Sequence, residues 1–140
     1  MEPRDTFLAP IEHARIVYPQ IVTALEAAGR WFKPATRPKG IRKMANQACF
    51  RNAWVLQDRR TGLSYAEGLA EADFCPGTWI HHAWCVTDDG VVVDPTWRHP
   101  GLSYFGVRLD AATAAKALWE SNDEFGGLLA TEVVRRVMRE

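Results

Sequence analysis

The chain has 140 residues, 47% of them apolar and 24% charged, with a formal net charge of zero. That length and mix fit one compact globular domain spanning residues 1–140. They exclude a membrane-spanning chain, because no apolar run approaches the roughly 18 residues needed. They also exclude a disulfide scaffold, because three Cys without framework spacing leave at least one thiol free.

In chain order, Met1–Pro10 carries Glu2, Arg4 and Asp5 and lacks an apolar secretion core, so the expected compartment is the cytoplasm. Residues 11–17 read as a short helical turn. A helix follows, with Pro19 in its first turn and Gly29 after its last, and Ile21, Val22, Leu25 and Ala28 at helical spacing. Residues 31–43 read as a loop, with Pro34 and Pro38 among basic residues and Gly40. Asn46 is the expected N-cap of a helix through Cys49, Ala53 and Leu56, which places Cys49 in its first turn.

The middle of the chain is β-like. Strands are expected over 63–69, 79–86 and 91–94, with Thr87-Asp88-Asp89-Gly90 supplying hairpin chemistry between the last two. A fourth strand is expected over 102–109. Asp110 then caps an alanine-rich helix to Trp119, and Ser121-Asn122-Asp123-Glu124 has the form of a capping box. A final helix from about Leu128 is expected to bury Leu129, Val133 and Val137, with Arg135, Arg136 and Arg139 near its end. Helices, an antiparallel meander and further helices make an α+β pattern.

Charge is unevenly placed. Arg30, Lys33, Arg37, Lys39, Arg42 and Lys43 fall together without an acid, balanced by Asp88, Asp89, Asp110, Asp123 and Glu124. The basic run reads either as a solvated loop or as a contact for an anionic partner, nucleic acid or an acidic peptide. Six Trp and six Phe suit a dense core or a ligand-lining surface. Positions 49, 75 and 85 lack paired C-x-x-C spacing, so neither a metal nor another cofactor is expected.

The chemistry centres on Cys49. A helix N-terminus and a nearby imidazolium both favour a thiolate, and Cys49 has the first by position. The hairpin supplies the second. A three-residue connection of Asp88, Asp89 and Gly90 pairs residues 87 and 91. Trp84 then faces Asp94 across the hairpin, and His82 and Asp94 become diagonal neighbours on one face. A two-residue Asp89-Gly90 turn would put His81 on that face instead. Cys85 is expected to be buried and Cys75 to lie in a loop before Pro76-Gly77. His81 reads as a surface or supporting residue, and Asp94 without His82 would only open a turn before Pro95.

A Cys at a helix start, a strand ending near Gly, then His-Ala-Trp, Gly, and a hydrophobic strand into Asp-Pro-Thr together resemble the transglutaminase-like core. Here these are Cys49, Tyr65 to Gly68, His82-Ala83-Trp84, Gly90 and Asp94-Pro95-Thr96, within residues 46–97. The resemblance implies a papain-like arrangement, with a Cys-bearing helix packed on an antiparallel sheet and helices at both termini. It implies a Cys49, His82, Asp94 triad acting on an amide through a thioester, as a peptidase, an amidase or an acyltransferase. The chain departs from the family in carrying Phe50 where a Trp or Tyr usually follows the Cys, and in being short. The Cys49 backbone N–H and the Gln47 side chain are expected as oxyanion donors. Trp84 and Trp97 are read as the wall of the acyl site or as core. The competing expectation is a binding module of the same fold, gripping a protein or nucleic acid.

Overall fold

The computed structural model describes residues 3–121 and 126–139. The fold is mixed α+β: five helices and one curled, five-stranded sheet in the order β1-β5-β2-β3-β4. Helix α1 covers Pro3–Val17, so the short turn expected over 11–17 is the end of a longer helix. A 3-10 turn at Pro19–Ile21 leads into α2, Val22–Ala28. Gly29 does end this helix, but in an extended conformation (φ −68°) rather than a left-handed one. A side chain there would collide with the Leu25 carbonyl and the Phe105 ring, which explains the glycine.

Strand β1, Arg30–Phe32, lies in what the sequence suggests is loop, and pairs antiparallel with β5. Three residues among prolines and cations carry too little alternation to announce a strand; the pairing partner, far along the chain, makes it one. Helix α3 is Cys49–Arg59. Its N-cap is Ala48, without a side-chain cap, so Asn46 does not cap it. The Asn46 Oδ1 instead accepts from Lys43 Nζ at 2.6 Å.

Strands β2 (Ser64–Glu71), β3 (Trp79–Val86) and β4 (Val92–Val93) form the expected meander. Strand β5, Ser103–Leu109, does not extend it beside β4. It returns to pair with β2 on the other side. A parallel bridge between Lys33 and Val91 joins the first and last strands and curls the sheet. Helix α4, Ala111–Glu120, is capped as expected, with the Asp110 carboxylate accepting from Thr113 N at 2.7 Å.

The box expected at 121–124 falls mostly outside the described residues. Within them, Ser121 ends α4 and donates to the Leu118 carbonyl at 2.8 Å. Helix α5, Glu132–Arg139, starts later than Leu128. Glu120 supplies its cap, accepting from the backbone N–H groups of Glu132 and Val133 at 2.7 and 2.9 Å. Leu129 is buried as expected, but Val133 is only partly buried and Val137 is 42% exposed, because the face of α5 turned to the core centres on Val134. No helix of the described residues is long and apolar enough to cross a membrane.

Strict alternation gives the sheet two apolar faces. Tyr65, Leu69, Ala83, Cys85, Phe105, Val107 and Leu109 pack toward the helices. Phe32, Ala66, Ala70, Trp84, Val86, Val92 and Tyr104 form a second core on the opposite face. Small residues on that face leave room for the large rings. At Gly106 an added Cβ would lie 2.5 Å from the Glu67 carbonyl oxygen and 2.8 Å from the Trp84 ring. Gly106→Ala is therefore expected to cost about 1–3 kcal/mol by overpacking. A lowered denaturation midpoint in urea, at unchanged slope, would show it; an unshifted midpoint would contradict this packing.

Candidate functional site

The turn after β3 has the three-residue form expected from the sequence. Gly90 takes φ 78°, Gly90 N donates to the Thr87 carbonyl at 2.9 Å, and Thr87 N donates to the Val91 carbonyl at 2.9 Å. The hairpin then pairs Val86 with Val92 and Cys85 with Val93. That register sets His82 and Asp94 on one face, and the His82 Nε2 lies 2.8 Å from Asp94 Oδ2. An ionised carboxylate only accepts, so Nε2 carries the proton and Nδ1 is the ring nitrogen left for another partner.

Cys49 is the thiol beside that ring. It is the first residue of α3, where backbone N–H groups lack intrahelical acceptors and the helix dipole is positive. It lines the same cavity as His82, and its interaction with the ring helps to raise the imidazole. The structure thus brings Cys49, His82 and Asp94 together. Burial works against a charged His82. The Asp94 carboxylate, by charge and by hydrogen bond, and then Cys49 outweigh it, and the imidazole is pushed up to about 9. Burial likewise opposes ionisation of Asp94, but His82, the Thr96 N–H and the Tyr104 hydroxyl hold it below the usual carboxylate range. Trp97 lies nearly parallel on the His82 ring, with centroids 3.8 Å apart at 10°, a face that favours the imidazolium.

Asp94 is saturated with donors. Its Oδ1 accepts from Thr96 N (2.9 Å) and Trp97 N (3.2 Å), and its Oδ2 from Tyr104 Oη (2.8 Å) as well as from His82. Asn52, one turn into α3 and fully buried, ties the two halves of the site together. Its Nδ2 reaches the Thr96 hydroxyl at 3.0 Å and the Ala45 carbonyl at 2.8 Å. Met44 N adds a bond to the Pro95 carbonyl at 2.7 Å. Neither Asn52 nor Tyr104 stands out in the sequence as part of a site. An amide on the inner stripe of a helix, three residues after Cys49, was the available signal for Asn52.

A cavity of about 1170 Å³ opens over Cys49 and His82, with Gln47 and Trp97 in its walls. Gln47 takes φ 60°, an uncommon conformation for a residue other than glycine. Trp84 is not in the wall. It is fully buried in the second core, its ring edge-on to Tyr104 and Phe32, so a substrate-contacting role does not fit its position. Cys85 is buried, its Sγ 3.1 Å from the Ala53 carbonyl, and burial raises its thiol. Cys75 lies in the turn between β2 and β3.

His81, pointing to the opposite face from His82, has its own carboxylate. Its Nε2 lies 2.8 Å from Oε2 of the fully buried Glu67. The same carboxylate accepts from Tyr65 Oη at 2.5 Å and from Leu128 N at 2.6 Å. This second pair therefore anchors the 128–129 segment on the sheet. Glu67 was legible only as a carboxylate in phase with Tyr65 and Leu69 on an apolar strand face, which demands a partner.

The His82 shift has a consequence for stability. The folded-state value, about 9, lies above the ordinary 6.5, so folding favours the protonated ring. That contribution is fully present below pH 6.5 and is lost as pH rises through 9. The stability gap between the wild-type chain and His82→Gln should narrow over that window by as much as about 3 kcal/mol. Denaturant titrations at a series of pH values would measure it, and a gap that widens with pH would contradict the assignment.

Comparison with protein-family models, with curated proteins and with solved structures finds no match to this chain.

Proposed function

We propose that the protein is a cysteine-nucleophile enzyme that cleaves or transfers the acyl group of an amide through a thioester on Cys49. The observation that carries this reading is that Cys49, at a helix N-terminus, shares one cavity with an imidazole that it helps to raise and that a buried carboxylate holds. The papain-like, transglutaminase-like arrangement is proposed on the same ground, with α3 packed on β3 and β2. The expectation of a binding module goes with a Cys49 far from both His81 and His82, and their proximity favours catalysis instead.

In the proposed reaction the Cys49 sulfur attacks the acyl carbon and an S–C bond forms. The oxyanion is met by the Cys49 backbone N–H and the Gln47 side chain. Collapse breaks the C–N bond, and the His82 imidazolium gives its proton to the departing amine. Water, or a second amine, then attacks the thioester. His82 takes the acceptor's proton, the S–C bond breaks, and the thiol is restored. Asp94 keeps the proton on Nε2 throughout, so that Nδ1 faces the reacting atoms. Trp97 keeps the ring in plane.

Incubation with p-nitrophenyl acetate should give a burst of nitrophenol and one acetyl group, mapped to Cys49. Cys49→Ser should abolish both, and His82→Ala should slow the burst by about 100-fold or more. Acetylation spread evenly over the three cysteines, or unchanged in His82→Ala, would sink the proposal.

A further inference from the structure

The walls of the cavity carry charge that the net-neutral chain does not compensate locally. Arg37, Lys43 and Arg98 line it, and Asp73 is the one carboxylate among its described lining residues. None of Arg37, Lys43 and Arg98 belongs to an ion pair of the described residues. Arg37 is fixed in place by two backbone carbonyls, with Nε donating to Ile41 O at 3.0 Å and Nη1 to Trp97 O at 3.1 Å. Carbonyls fix a guanidinium without neutralising it, so its charge and its remaining N–H groups stay available. Lys43 is likewise held by neutral acceptors, the Met44 carbonyl at 2.9 Å and Asn46 Oδ1 at 2.6 Å. The Trp97 whose carbonyl holds Arg37 is the Trp97 that lies on His82. The fixed charge is therefore tied to the reacting imidazole through Trp97.

From this we propose that the acyl donor is anionic: it bears a carboxylate or phosphate beside the acyl group, held by Arg37 and Arg98 while Cys49 attacks. The cation-lined mouth raises the local concentration of such a donor and selects it over a neutral one of the same shape. The basic segment of the sequence thereby divides. Arg37 and Lys43 face the cavity, while Arg30 lies over the Phe32 ring at 4.9 Å. The proposal rests on the reading of Cys49 as the nucleophile, but its test requires no turnover.

The rates at which iodoacetate and iodoacetamide alkylate Cys49 are measured by peptide mapping, with the neutral thiol N-acetylcysteinamide as reference. The two reagents differ in charge and scarcely in size. The iodoacetate-to-iodoacetamide ratio at Cys49 should exceed that of the reference thiol by about tenfold. It should fall severalfold in Arg98→Glu and in Arg37→Gln, and decline with added salt. Arg98 is exposed and without a partner among the described residues, so its variant keeps the test clean if Arg37→Gln disturbs the Trp97 turn. A ratio no higher than the reference would overturn the proposal. A high ratio unchanged in both variants would also overturn it, because the preference would then belong to His82 alone. Succinate and inorganic phosphate are compared as protectants. Protection by either supports the proposal and names the anion; protection by neither overturns it. Loss of acetylation with the iodoacetate preference intact would defeat the enzymatic reading and leave the anion site standing.

Discussion

The Asp94 carboxylate is the constraint around which the rest of the site is arranged. A buried charge without partners costs several kcal/mol, so the sequence near it must deliver donors or give up the charge. It delivers them from three places: Thr96 and Trp97 from the turn that follows, Tyr104 from β5, and His82 from β3. Each donor is also a structural commitment. Tyr104 binds Asp94 only because β5 crosses back to pair with β2, and His82 reaches it only in the hairpin register set by Gly90. Fold and site are thus specified together, and loss of one donor would be felt in both.

Around that anchor the chain builds two opposed pairs from one dipeptide. Neighbouring residues of a strand point to opposite faces. His82 therefore meets Asp94 in the second core, while His81 meets Glu67 among the helices. One pair holds the imidazole beside Cys49. The other clamps the segment leading into α5, whose start is further held by Glu120. Asn52 spans the gap between α3 and the Asp94 turn, so Cys49 and His82 are positioned against a shared frame. On the proposed catalytic reading, precise placement of reacting groups is worth several kcal/mol of barrier, which gives a reason for this many buried polar contacts in a small protein.

Much of this is legible in the sequence wherever local patterns decide the outcome. Trp79–Val86 reads as a strand because its alternation is strong, and the Asp88-Asp89-Gly90 turn is readable because only a glycine suits its left-handed position. From that turn, parity alone places His82 rather than His81 with Asp94. What is not legible depends on distant partners. Strand β1 exists through its pairing with β5, and β5 sits beside β2 rather than β4 because the sheet curls. Trp84 carries the same local pattern as a residue of the acyl wall, yet it is fully buried, because the small residues opposite it leave a slot of its size. Asn46 has the chemistry of a cap, and loses the position to Ala48 because Lys43 engages its side chain.

The bond from His82 to Asp94 can be observed directly by NMR of the labelled imidazole rings across a pH series. The account predicts a protected Nε2 proton on His82 and a ring that stays charged until pH approaches about 9, reverting toward its ordinary value in Asp94→Asn. A His82 that titrates near 6.5 in the wild-type chain, with a freely exchanging Nε2 proton, would contradict it.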